Sequence, residues 1–135
     1  MKKVIPLLII GVFIFLHSIN NSYAQVDQSG VQFIFESKDK LITTLESDSK
    51  KELLFEITGI ESGKQADALQ RIFLSAGDRV ADCKIMYKKN AACTGSLSLT
   101  AETKTSHFTK LLITCGIREI VVEGTRMRSE ELNDK

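Results

Sequence analysis

The side chains of residues 25–135 best suited to nucleophilic or metal chemistry are Cys83, Cys93, Cys115 and His107. A thiolate can serve as nucleophile or soft-metal ligand, and an imidazole as base or ligand, but each role needs a partner within bonding reach. His107 and Cys115 are eight positions apart in one predicted helix. That is roughly 12 Å along the axis, so the two cannot form a dyad. Cys83 falls early in one predicted strand and Cys93 early in the next, toward opposite ends of a hairpin. A bond between them would need a different register, because bridged Cα atoms lie within about 7 Å. The odd count leaves three arrangements open: one disulfide with a spare thiol, three buried thiols, or an intermolecular bond. Cys115 shares the apolar face of its helix and reads as core. His107 reads as an exposed residue near a helix start.

The remaining candidates are weaker in kind. The acids Glu61, Asp67, Asp78 and Asp82 are scattered and read as solvated surface, with Glu61 and Asp67 flanking a loop where a cation could touch them. There is no phosphate-cradling glycine loop, nucleophile elbow or paired-cysteine motif. No catalytic or cofactor-binding residues are expected, and the chain is not expected to be an enzyme.

Charge and composition narrow the function further. Residues 1–24 have Lys2 and Lys3, an apolar run from Val4 to Leu16, and small residues at Ser22 and Ala24, the plan of a cleavable secretory signal. The apolar run is shorter than the ~20 residues a bilayer span requires. Export to the periplasm or beyond is expected, with no stable membrane insertion after cleavage. Cleavage would remove two lysines and no acid, leaving 16 basic against 17 acidic side chains. So balanced a charge argues against nucleic acid as a partner, which would need a concentrated basic field.

Residues 25–50 are rich in Ser, Asp, Lys, Gln and Thr. They contain a strict alternation at Val31, Phe33 and Phe35 and helical spacing at Leu41, Ile42 and Leu45, but their polarity predicts a flexible or loosely docked leader. Regular patterning begins at Lys51. Leu53, Phe55 and Ile57 alternate with Leu54, Glu56 and Thr58 as in a half-buried strand, and Gly59 ends it. Ser62 suits a helix N-cap, followed by Ala66, Leu69, Ile72, Phe73 and Ala76 at helical steps up to Gly77. Val80, Cys83, Ile85 and Tyr87 mark a second strand, and a polar turn leads into a third, with Leu97 and Leu99 alternating with serines. Ser106 is placed to cap a second helix carrying Phe108, Leu111, Leu112 and Cys115, stopped by Gly116. A last strand spans residues 119–123, and residues 125–135 read as a charged tail.

The order strand, helix, strand, strand, helix, strand predicts an α+β fold. Two right-handed split βαβ units give a ferredoxin-like βαββαβ sandwich, a four-stranded antiparallel sheet with two helices on one face, over residues 51–124. Each helix is followed by a glycine and two linking residues, Gly77-Asp78-Arg79-Val80 against Gly116-Ile117-Arg118-Glu119.

On Phe55-Glu56-Ile57-Thr58-Gly59-Ile60, the helix over residues 65–76, the strand over residues 80–87 and Leu111-Leu112-Ile113-Thr114-Cys115-Gly116-Ile117, this core resembles the heavy-metal-associated domain family of copper chaperones and metal-transporting ATPases. That family places a Met-x-Cys-x-x-Cys loop after the first strand to grip Cu(I) between two thiolates. Here the matching positions are Ile60, Ser62 and Gln65, which provide no thiolate. The resemblance implies the fold without the metal motif. It also brings acylphosphatases to mind as ferredoxin-like enzymes, but their phosphate loop needs an Arg, and this loop has none.

The expected function is a non-enzymatic binding or adaptor module of the cell envelope, presenting Gly59, Ile60, Glu61, Ser62, Gly63, Lys64 and Gln65, or the sheet face, to a protein partner. The alternative is an atypical carrier of copper or another soft metal through Cys83, Cys93 or Cys115.

Overall fold

A computed structural model describes Gln28 and residues 30–133. The predicted signal over residues 1–24 lies outside the described residues. In chain order the elements are β1 (Gln32–Phe35), α1 (Lys38–Glu46), β2 (Lys51–Thr58), α2 (Gly63–Leu74), β3 (Val80–Met86), β4 (Cys93–Leu99), α3 (Thr105–Thr114), β5 (Glu119–Val122) and β6 (Thr125–Arg128), followed by a 3-10 turn over Ser129–Asn133. The fold is α+β.

The strands form one six-stranded mixed sheet in the order β3-β4-β2-β1-β5-β6. This corrects the expected four-stranded antiparallel ferredoxin-like sheet. All four expected strands are present, and β2 and β3 run parallel with β4 between them, as one split unit requires. The other unit, β4-α3-β5, is split by two strands instead of one. β1 sits between β2 and β5, antiparallel to the first and parallel to the second.

The physical reason is aromatic. Phe33 and Phe35 point into the core, and Phe33 stacks on Phe55 with ring centroids 4.7 Å apart and lies 5.5 Å from Phe73 of α2. Phe35 meets Phe108 of α3 edge-on at 6.0 Å. Burying each Phe contributes about 2–3 kcal/mol, which outweighs the polarity of its neighbours. The segment read as a flexible leader therefore holds β1 and α1, and the described residues form three α-helices instead of the expected two. Likewise, the segment read as a charged tail holds β6, joined to β5 by a two-residue turn whose Glu123 and Gly124 both take positive φ, 54° and 77°.

The strand alternation resolves into two unlike faces. Leu53, Phe55 and Ile57 of β2 are buried with Cys83 and Ile85 of β3, Cys93, Leu97 and Leu99 of β4, and Ile120 and Val122 of β5. The helices cover this face through Leu41 and Leu45 (α1), Ala66, Leu69 and Phe73 (α2), and Phe108, Leu111 and Leu112 (α3). Gly95 faces Phe55 across the β2–β4 pair, and a Cβ there would come 2.4 Å from the ring, so only glycine admits the aromatic. Among the described residues no helix covers the opposite face, with Glu52, Leu54, Glu56, Lys84 and Met86; Leu54 is 72% and Met86 66% exposed.

Helix α3 starts two residues earlier than expected. Its N-cap is Lys104 instead of Ser106, which is exposed. The first turn is satisfied from another element: Glu46, at the end of α1, accepts from the Thr105 N–H (3.0 Å) and from its hydroxyl. Lys104 returns the favour, its Nζ donating to the Glu46 and Ser47 carbonyls at the end of α1 (3.2 and 3.4 Å) and to Asp48 Oδ1 (3.0 Å). Below this exchange Lys51, fully buried, donates its Nζ to the carbonyls of Ala101 and Thr103.

Candidate functional site

The loop singled out in the sequence, residues 59–65, lies between β2 and α2. Gly59 opens it with φ +87°, and a Cβ there would meet the Gly30 carbonyl oxygen at 1.9 Å, so the loop's first turn is set by close backbone approach. Ser62 then caps α2 as expected, its Oγ accepting from the Gln65 N–H at 3.2 Å. Gln65 closes the arrangement from the other side: its Oε1 accepts from the Glu61 N–H (2.7 Å) and its Nε2 donates to the Gly59 carbonyl (3.4 Å). The pattern differs from a capping box in that the Gln65 side chain reaches back to Glu61, one residue before the N-cap, instead of to Ser62 itself.

The consequence for chemistry is direct. Ser62 and Gln65, at the two positions matching family cysteines, spend their oxygens on backbone N–H groups of their own loop. The loop is nonetheless presented to solvent: Gly59, Glu61, Ser62 and Lys64 are exposed, and Ile60, Gly63 and Gln65 are half-buried. Tyr87, at the end of β3, donates its hydroxyl to the Glu61 carbonyl at 3.2 Å. Tyr87 reads as a strand residue in the sequence, and only its place at the end of β3, beside the start of α2, reveals this role.

Cys83 and Cys93 do not converge, whereas Cys115 lies near enough to Cys83 to feel its thiol. Cys83 pairs in register with Leu97, and Cys93 lies four residues from Leu97 along β4, opposite Ile57 of β2. All three cysteines are buried and free. Burial, with Asp82 adding to it, raises the Cys83 thiol to about 11; burial, with Cys83 adding to it, raises Cys115 to about 12. Both are therefore protonated at neutral pH, the form least able to grip a metal. Asp67 and Glu61 are exposed, and among the described residues no group of three or more His, Cys, Asp or Glu side chains is placed to share a metal ion. His107 is half-buried in the first turn of α3, where its Nδ1 accepts from the Lys104 N–H at 3.0 Å.

No family model matches the chain, and no curated protein or solved structure matches it. The likeness to heavy-metal-associated domains therefore rests on the apolar spacing and glycines quoted above. Among the described residues no helix is long and apolar enough to cross a membrane.

The arrangement at loop 59–65 can hold a surface in one shape and offer it for contact. Around it stand the half-buried Ile60, Tyr87 at 37% exposure, and Met86 at 66% on the open sheet face.

Proposed function

We propose that the chain is an exported, non-enzymatic binding or adaptor module of the cell envelope, which offers loop 59–65 with Tyr87 and Met86 to a protein partner. The observation that carries this reading is the loop's internal bonding: four side-chain hydrogen bonds fix it while its outer surface stays exposed. A surface fixed before contact loses less conformational entropy on binding. Aromatic and methionine side chains are the types enriched at the centres of protein interfaces. Both exposed apolar groups here belong to those types.

The test uses the mature chain as bait in an envelope extract, beside a loop variant, Lys64→Glu with Met86→Glu, and a control altered at the far end of β3, Arg79→Gln with Lys110→Gln. All four altered positions are exposed and outside the core, so each bait should fold. A partner recovered with the natural chain and the control, and lost with the loop variant, supports the reading. Equal recovery of that partner with all three baits overturns it.

A further inference from the structure

At the opposite end of β3 from Tyr87, roughly 20 Å away at strand rise, the turn after α2, the β4–α3 connection and α3 enclose a cleft of ≈ 440 Å³. Its size is that of a small-molecule site. Arg79 enters from the start of β3, and His107 and Lys110 from successive turns of α3. Two elements distant in sequence, the start of β3 and helix α3, thus bring three nitrogen donors to one hollow.

The hollow is set up for an anion in three independent ways. First, the His107 ring is oriented: because Nδ1 accepts from the Lys104 N–H at 3.0 Å, the proton of the neutral ring sits on Nε2, leaving that nitrogen a donor. Second, the connection that forms one wall is pinned from beneath by the buried Lys51, whose Nζ binds the carbonyls of Ala101 and Thr103. Third, cations stand around the His107 ring. Desolvation, followed by the charges of Arg79, Lys110 and Lys51, holds the His107 pKa below its ordinary value, and Glu46 opposes them. Asp78 and Glu102 also line the cleft and limit how many charges it will accept.

We propose that this cleft binds the phosphoryl group of a small organic phosphate, with Arg79, Lys110 and the His107 Nε2–H as its donors. A guanidinium from the start of β3 facing an ammonium and an imidazole from successive turns of α3 suits a tetrahedral oxyanion better than a planar carboxylate, which a single guanidinium grips side-on. The site is separate from loop 59–65, and its fate does not depend on the adaptor reading.

The test is a titration of the mature chain at pH 7, following the His107 ring signals by NMR. The probes are inorganic phosphate, glycerol phosphate, succinate, and sodium chloride at matched ionic strength. Saturable shifts with glycerol phosphate at least tenfold tighter than with succinate are expected, together with a rise in the His107 pKa, because a bound anion offsets the cations that depress it. Arg79→Gln with Lys110→Gln should weaken binding at least tenfold and leave the unfolding midpoint in urea in place, since both side chains are exposed. Tighter binding of inorganic phosphate than of glycerol phosphate would narrow the ligand to the free ion and overturn the organic-phosphate assignment. Equal response to chloride or succinate, no saturation, or binding that survives in the double variant would overturn the site.

Discussion

Cys83 and Cys115 share an apolar interior in which a thiolate has no water to solvate it, and the rise of their pKa values to about 11 and 12 follows from that burial. The linkage has a definite sign. A folded-state pKa above the unfolded value of about 8.5 means that the folded chain holds these protons more tightly. The stabilisation is complete below about pH 8.5 and is lost as pH rises toward 11–12. Lys51 acts in the opposite sense, because burial lowers its pKa and folding becomes easier as its charge is released. The thiol contribution is therefore read as a difference: between pH 8 and 10 the natural chain should lose more stability in urea than Cys115→Ala does. At pH 8, iodoacetamide should leave all three thiols unmodified in the folded chain and alkylate all three in guanidinium, as counted by mass spectrometry. Rapid modification of the folded chain would place at least one sulfur at the surface and return the soft-metal alternative to consideration.

At the scale of elements, local signals worked where the residues that decide an element lie inside it. The Ser62 cap, the alternation of β2 and the apolar face of α2 are all written within a few residues, and each is found in the structure. The cap of α3 is different, because its decisive residue is Glu46, 59 positions from Thr105. Ser106 is the right residue type two positions too late, while a lysine occupies the N-cap itself. No window on the sequence contains the reason. Glu46→Ala should cost about 1–2 kcal/mol by removing the acceptor for the first turn of α3, whereas Ser106→Ala should cost under about 0.5 kcal/mol as an exposed substitution. Urea unfolding of the two variants decides the matter, and similar losses from both would mean that the local rule was right after all. The cleft between α2, β3 and α3 was hidden for the same reason. Arg79, His107 and Lys110 have no common spacing, although Arg79 belongs to the post-helix linker repeated at Arg118.

Across the whole molecule, the element that most changed the architecture is one of the shortest. Average polarity over residues 25–50 obscured β1, since a four-residue strand needs only two inward side chains to claim its place, and Phe33 and Phe35 are those two. Once β1 lies between β2 and β5, the sheet has no ferredoxin-like core that could stand alone: β2 and β5 do not touch as neighbours, and the rings of Phe55, Phe73 and Phe108 pack on side chains from β1. The outer edge of β3 is closed by contrast, with the Cys83 N–H bonded to Asp82 (2.9 Å) and the Ile85 N–H to Gln70 (3.0 Å), so a missing interior strand is not readily replaced by pairing there. A chain beginning at Lys51 should therefore give a collapsed amide spectrum by NMR at temperatures where the chain from Gln25 gives a dispersed one. Phe33→Ala in the longer chain should cost about 3–5 kcal/mol, the range for deleting a buried aromatic, and should lower the urea midpoint without changing the charge of the protein. A well-dispersed spectrum from the shorter chain would mean that β2 and β5 can close directly on each other, as the four-stranded expectation had them, and that β1 is an addition to a core that needs no help.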